Sequence, residues 1–170
     1  MARYITHTSE WGALATTSVR DPIKSYPFAN VFSVSDGPVD YSSGIPYFYI
    51  SPWEISAIDL KQDPKASLTM SLAQGNFCTE MNYDPEDPRC AHVIFTGKFV
   101  ILETDSEEAN FAQEALFTRH PSMPEWPVDH GWFFAKLDIE NIIILDFFGG
   151  AITVPIKDYF AATPTYNEQK

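Results

Sequence analysis

Basic residues, cysteines and long apolar runs are all scarce in this 170-residue sequence. It holds 11 Lys and Arg against 23 Asp and Glu, giving a net charge of −12, and its basic residues are scattered. A surface this negative repels phosphate backbones and anionic lipids, so we expect no direct binding to nucleic acid. Its apolar runs, such as residues 142–145, are far shorter than the roughly 20 residues of a spanning helix, so no membrane insertion is expected.

Only two cysteines occur, Cys78 and Cys90. Their close spacing permits a disulfide, but two free thiols in a reducing compartment would give the same sequence. On the residues alone both alternatives stay open.

The sequence also lacks the patterns that mark metal and nucleophile sites. No metal site is predicted, because metal-ligand spacing is absent from the four histidines, His7, His92, His120 and His130. Ser18 and Ser51 lack the glycine setting of a nucleophile elbow. We therefore predict no catalytic residue.

Aromatic residues, in contrast, are abundant at 15%, within a hydrophobic share of 45%. This composition excludes disorder and favours β-structure with apolar surface to spare for an interface. Since no linker or repeat interrupts the chain, we predict one domain over residues 3–160 and a C-terminal tail over 161–170.

Hydrophobic periodicity predicts a mainly β, α+β fold of six to seven strands with helices between them. Strands are predicted over residues 14–19, 28–34, 46–50, 66–72, 92–102, 132–137 and 139–148. Helices are predicted over residues 3–10, 54–62, 105–119 and 155–160. Gly97 interrupts the fifth strand and predicts a bulge or a barrel bend there.

Three segments in order carry a resemblance to a known fold: WGALATT at residues 11–17, GIPYFYISP at 44–52 and DPKASLTM at 63–70. Together they resemble the opening strands of the FMN-binding split β-barrels, the pyridoxamine-phosphate-oxidase-like superfamily. In that superfamily a G-x-L-A-T strand and an N-P-x-x-S-L strand border the flavin.

Further segments narrow the resemblance: PFANV at 27–31, SDGP at 35–38, SLTMSLAQ at 67–74, RHP at 119–121, WFFAKL at 132–137 and FGG at 148–150. They are similar to the CREG family, the cellular repressors of adenoviral early-protein-stimulated genes. The resemblance implies a secreted and endolysosomal glycoprotein family of homodimers, linked to growth restraint, differentiation and lysosomal function. It also implies a barrel without flavin activity, and a cell-surface or lysosomal sorting receptor as partner.

The sequence departs from the family in its asparagines, none of which begins an Asn-x-Ser/Thr motif. N-glycosylation at that motif is therefore excluded for this sequence, which argues against glycan-dependent receptor binding. No charged and apolar leader precedes the first predicted helix, so secretion rests on the resemblance alone. If the chain matures in an oxidising compartment, Cys78 and Cys90 should form a disulfide.

The flavin site implied by the split-barrel resemblance has few side chains that could bind a phosphate. A buried phosphate dianion needs several cationic and hydroxyl donors, and the matching strands offer Thr16, Thr17, Lys65 and Ser67. We interpret these four as a vestigial pocket and predict no bound cofactor. A simpler interpretation of Lys65 is a solvated lysine at the start of a strand.

The segment between the cysteines is acidic and carries two prolines, which stiffen it. A disulfide there would constrain the unfolded chain by roughly 3 kcal/mol. We predict that the middle of this segment occupies the flavin cleft and repels phosphate: Asp84, Pro85, Glu86, Asp87 and Pro88. The alternative is an ordinary acidic surface loop.

The resulting prediction is a non-enzymatic homodimer that acts through protein binding. Two aromatic strand segments, Tyr47–Tyr49 and Trp132–Phe134, exceed what one small barrel buries, so a two-fold interface should cover the surplus. Two alternatives remain: an FMN-dependent oxidoreductase on the same fold, and a carrier that binds small molecules in the dimer cleft.

Overall fold

The computed structural model describes residues 1–165 and contains seven β-strands and five α-helices in that range. The strands are β1 (Trp11–Thr17), β2 (Pro27–Ser33), β3 (Tyr47–Ile50), β4 (Lys65–Ser71), β5 (His92–Ile101), β6 (Phe133–Leu145) and β7 (Ile152–Thr153). The helices are α1 (Ala2–Thr8), α2 (Ile55–Gln62), α3 (Phe77–Glu80), α4 (Glu107–Arg119) and α5 (Ile156–Ala161). Short 3-10 turns lie at Leu72–Gln74, Met123–Glu125 and Val128–His130.

All the strands join one antiparallel sheet in the order β2-β1-β4-β5-β6-β3, with β7 added beside β6. The sheet curls until its two edges, β2 and β3, approach each other. Just beyond β2, Ser35 makes an isolated bridge to Tyr47 at the start of β3. The result is a barrel that stays split between β2 and β3, so the predicted fold class is confirmed.

β6 is one continuous strand, so the prediction of two strands between residues 132 and 148 is wrong. The register slips where Gly97 of β5 meets Ile139, while Thr96 pairs with Asn141. Glu140 is the extra residue, and it and Asn141 are consecutive exposed residues that break the alternation. A Cβ at position 97 would lie 2.0 Å from the Asp138 carbonyl oxygen, so the close strand approach requires glycine. The predicted irregularity at Gly97 is confirmed.

Smaller differences from the prediction lie at the element ends. α1 ends at Thr8 because Ser9 has extended backbone angles, and β1 begins earlier than predicted, with Trp11 paired to Ser33. α3 and β7 are unpredicted, because one is a single turn and the other is only two residues long. The tail boundary stays a prediction, and residues 166–170 lie outside the described residues.

The main core fills the barrel and is closed by α1 and α5. Fully buried residues from five strands meet there: Leu14, Phe48, Leu68, Phe95 and Ile142. Tyr159 of α5 packs on Phe95 at 5.4 Å between ring centroids and donates a hydrogen bond to the Gly44 carbonyl, 2.7 Å away. A second cluster forms where α4 covers β3 and β6 from outside, with Tyr47, Ala112 and Leu116 buried.

The outer surface of the sheet carries two rows of small or uncharged side chains. Strand register places Val31, Ala13, Thr69 and Ile94 in one row, and Ala29, Ala15, Ser67 and Thr96 in the next. All eight are partly or largely exposed. We call these eight residues the uncharged sheet face.

Candidate functional site

Thr16 is part of the internal structure of the barrel and is not open to a ligand. Its side chain faces the interior and is 4% exposed, and its hydroxyl donates a hydrogen bond to the Asp59 carboxylate, 2.9 Å away. Asp59 is itself buried on α2 and also accepts the Val19 backbone N–H at 2.8 Å. These contacts connect α2 to the end of β1. They also occupy the Thr16 hydroxyl, which the sequence analysis had assigned to a pocket.

Thr17, Lys65 and Ser67 lie on the opposite, outer side of the sheet. Ser67 pairs with Ala15 of β1 and with Thr96 of β5. The structure therefore does not bring the four pocket candidates together, because Thr16 is separated from the other three by the thickness of the sheet. Alternation of side chains along β1 is the reason.

Lys98 lies directly opposite Lys65 in the sheet, a neighbour that the sequence analysis missed. Its ammonium is 3.4 Å from Glu140, and both side chains are about half exposed. Two solvated lysines, one of them already paired, do not supply the desolvated positive charge that a buried phosphate dianion requires. The residues present at this place do not fit FMN.

The acidic segment is closed by the disulfide between Cys78 and Cys90, whose Cα atoms are 5.4 Å apart. Both cysteines are buried. Two backbone bonds organise the loop: the Tyr83 N–H donates to the Cys78 carbonyl, and the Cys90 N–H donates to the Asp87 carbonyl, each at 2.8 Å. The loop is thus a compact turn built on the disulfide.

Arg89 partly neutralises this loop. Its guanidinium donates two hydrogen bonds to Asp87, at 2.9 and 2.6 Å, and lies 4.3 Å from the centroid of the Tyr83 ring. The hydrogen bonds from Arg89 lower the pKa of Asp87 to about 2. Asp84 and Glu86 are exposed and carry the remaining charge at the tip.

Within one chain, the segment Asp84–Pro88 lies far from the pocket candidates. The loop leaves β4 at Ser71 and enters β5 at His92, and these two residues pair with each other. Lys65 is at the other end of β4, six residues away or roughly 20 Å along the strand. The sequence analysis had expected this loop to occupy the flavin cleft. Within one chain, the loop does not cover the candidate pocket.

A different cavity opens at the split in the barrel, between β2 and the end of β3. Its volume is about 390 Å³, and it is lined by Asn30, Val31, Phe32, Ser33, Tyr49, Ile50, Glu54, Trp126 and Trp132. Desolvation by burial raises the pKa of the Tyr49 hydroxyl in its wall. We call it the split cavity.

The sequence analysis also missed a buried carboxylate, because Asp36-Gly37 has the pattern of a simple turn. The Asp36 side chain accepts hydrogen bonds from the Ser42 hydroxyl and, at 3.0 Å, from the Gly44 N–H. The His7 ring lies 2.7 Å away, and Arg119 of α4 donates to the Gly37 carbonyl at 2.8 Å. This network fastens the turn after β2 to α1 and α4, which is a structural role.

Two further findings concern the described part of the chain. Within residues 1–165, no three His, Cys, Asp or Glu side chains are grouped in a way that could hold a metal ion. None of the helices in that range has the length and apolar character needed to cross a bilayer.

Comparison with known proteins identifies the family. The family model "CREG, beta-barrel" matches residues 1–161. Protein CREG1 of Homo sapiens is 47% identical over 163 residues, which are 96% of this chain and 73% of that protein.

Two solved structures share the fold at low identity. A heme-binding protein from Mycobacterium smegmatis has a TM-score of 0.73 at 17% identity, covering 94% of this chain and 58% of that one. A Clostridium acetobutylicum protein of the pyridoxinephosphate oxidase family, related to general stress protein 26, has a TM-score of 0.57 at 15% identity, covering 89% of each chain. The resemblance to the CREG family is thereby confirmed, and these structures show that the fold is shared. The chain belongs to the CREG family and has its β-barrel fold.

Proposed function

We propose that this CREG-family chain is a non-enzymatic homodimer, secreted and endolysosomal, that acts in growth restraint, differentiation and lysosomal function through protein binding. The observation that carries the proposal is the uncharged sheet face. It is a broad β-surface without a charged residue at its centre, on a protein whose net charge is −12. Depletion of charge at the centre of a surface is typical of protein interfaces.

The acidic loop fits this proposal as a recognition element. Its tip is exposed and held in one shape by the disulfide, so ordering it costs little entropy when a partner binds. A sorting receptor would have to bind the polypeptide itself and not an N-linked glycan, because the sequence has no Asn-x-Ser/Thr motif.

The loop also provides a way to exclude flavin from the dimer. We propose that the two-fold axis lies in the plane of the sheet face and crosses the strands. Each chain's Ser71 end then lies against its partner's Lys65 end. In that arrangement the segment Asp84–Pro88 of one protomer covers Lys65 and Ser67 of the other, and its carboxylates repel phosphate.

The experiment that tests the non-enzymatic proposal is a titration with FMN, followed by quenching of FMN fluorescence. We expect colourless purified protein and no saturable binding below about 100 µM, equivalent to roughly −5.5 kcal/mol. The physical reason is that Lys65 and Lys98 are solvated and that no arginine accompanies them in the described sheet face. Tight saturable quenching, or a yellow protein, would instead support an FMN-dependent oxidoreductase.

A further inference from the structure

Three aromatic rings form one side of the split cavity. The Trp126 and Trp132 ring centroids are 4.8 Å apart and the ring planes are inclined at 44°, so the two indoles pack against each other. Tyr49 stacks against both, at 5.9 and 5.2 Å. The Trp132 Nε1–H donates to the Pro127 carbonyl at 2.8 Å, which fixes the orientation of that indole. The aromatic side is therefore rigid before any ligand arrives.

Glu54 supplies the only charge that lines this cavity in the described part of the chain. It is partly buried at the N-cap of α2, but its side chain makes no capping hydrogen bond there. It also takes part in none of the ion pairs found among residues 1–165. A cation bound beside this carboxylate would gain an electrostatic attraction that no ion pair among residues 1–165 already uses.

The opposite wall is the free edge of β2, residues 30–33, which bonds to β1 on its other side only. An edge strand leaves alternate backbone N–H and C=O groups without a strand partner. At this edge the Val31 N–H already donates to Asn30 Oδ1 at 2.9 Å. The other edge groups and the Asn30 side-chain NH2 can bind a hydroxyl or carbonyl on a ligand. The cavity thus combines aromatic faces, one carboxylate and a polar edge.

We propose that the split cavity binds a small organic cation, an amine or quaternary ammonium that also carries a hydroxyl or carbonyl group. The positive end lies against Trp126 and Trp132, whose rings attract cations within about 6 Å of their centroids. Tyr49 supports both indoles from beneath and is itself covered by Phe134. Glu54 balances the charge, and the β2 edge holds the polar end. The net charge of −12 raises the local concentration of cations and disfavours anionic ligands. Binding at this place requires neither the dimer nor any loss of flavin chemistry.

The test compares choline with 3,3-dimethyl-1-butanol, its neutral carbon isostere, by NMR of the indole N–H resonances. Of the four tryptophans, Trp126 and Trp132 line the cavity, and Trp11 lines a separate one as an internal control. We expect saturable shifts of Trp126 and Trp132 with choline up to about 10 mM, above the roughly 1 mM Kd of a modest cation site. Trp11 should not move. The neutral isostere should bind at least tenfold more weakly, roughly the loss of one desolvated cation–aromatic contact.

Two matched variants isolate the carboxylate. Glu54→Gln keeps the size of the side chain, and we expect it to weaken choline binding about tenfold. Glu10→Gln removes a carboxylate that lines the other cavity and should leave choline binding unchanged. Equal binding of the neutral isostere, no saturable shift, equal shifts at Trp11, or full affinity in Glu54→Gln would each overturn the proposal.

Discussion

Thr16 and Thr17 are neighbours in β1, yet their hydroxyls lie in opposite environments. Thr16 is buried and donates to the side-chain carboxyl oxygen of Asp59, whereas Thr17 is exposed at the end of the strand. Removing a donor from a buried acceptor costs more than removing one at the surface, because water can replace only the surface hydrogen bond. The same residue type therefore has a structural role at one position and none at the next.

We expect Thr16→Val to lower the free energy of unfolding by about 1–3 kcal/mol, because it leaves the Asp59 oxygen without that donor. Urea unfolding followed by tryptophan fluorescence measures the change. The control is Thr17→Val, the same substitution at an exposed position, which we expect to stay within about 0.5 kcal/mol. Equal losses in the two variants would contradict a special role for the Thr16–Asp59 bond.

Asp87 should titrate well below an ordinary aspartate. Arg89 lowers its pKa to about 2, compared with roughly 3.9 for an unperturbed Asp. Because the folded-state pKa is depressed, the contribution of the pair is complete above the unfolded value and is lost as pH falls through about 2. Carboxyl 13C shifts recorded across the acid range measure the midpoint.

Arg89→Gln should return the Asp87 midpoint towards its ordinary value, since the guanidinium is the cause of the shift. Arg20→Gln removes an arginine outside the loop and should leave the midpoint in place. An unchanged midpoint in Arg89→Gln would show that the ion pair is absent in solution.

At the scale of elements, the sequence shows which residues make up the disulfide loop, whereas the structure shows at which end of the barrel the loop lies. The pairing of Cys78 with Cys90, open on the residues alone, is present in the structure. The position of the loop follows from the β4–β5 register, which puts it at the Ser71 end of the barrel. Composition predicts that the loop is stiff and acidic, but only strand order tells which end of the barrel it leaves.

Protein made in an oxidising compartment should contain no free thiol, because the chain's two cysteines are paired and buried. Thiol labelling under denaturing, non-reducing conditions measures this, with a reduced sample as the positive control. Reduction should lower stability by roughly 3 kcal/mol, as expected for a loop of this size. Two labelled thiols per chain in the unreduced sample would refute the pairing.

For the whole molecule, the surface available to a second copy differs from the aromatic segments of β3 and β6 that the sequence predicts. Tyr47 and Phe48 are buried within the chain, and Tyr49 and Phe134 pack under α4 and Trp126. The aromatic surplus of β3 and β6 is therefore largely covered by the chain's own helix. What remains for a partner is the uncharged sheet face, together with exposed apolar residues such as Val31 and Trp11.

The dimer predicts a native mass of twice the 19.2 kDa chain at micromolar concentration. Val31 is 59% exposed within the uncharged sheet face, so Val31→Glu should fold normally and give a monomer, because it buries an unpaired charge in the interface. Val128 is 92% exposed outside that face, and Val128→Glu should stay dimeric. Light scattering during size-exclusion chromatography measures all three, and a monomeric wild type would refute the homodimer.

The sequence by itself determined the family and most of the strands and helices. Side chains alternate along any strand and recur every 3.6 residues on any helix, so these patterns survive without knowledge of the neighbours. Residues 105–119 are an example: Ser106 caps α4 and accepts the Ala109 N–H, as its position before two glutamates indicates. The motifs in β1, β3 and β4 indicated the split barrel for the same reason, because each is local, and further local segments such as residues 132–137 indicated the family.

Only the tertiary structure decided which distant residues meet. Thr16 reaches Asp59 across 43 positions of sequence, and Tyr49 stacks on Trp126 because the corner after α4 folds back over β3. The bulge at Gly97 likewise joins two predicted strands into one, since register is a property of a pair of strands. The split cavity depends entirely on such contacts, because curling of the sheet brings β2, β3 and the two tryptophans together. No single segment of the sequence predicts how far the sheet closes.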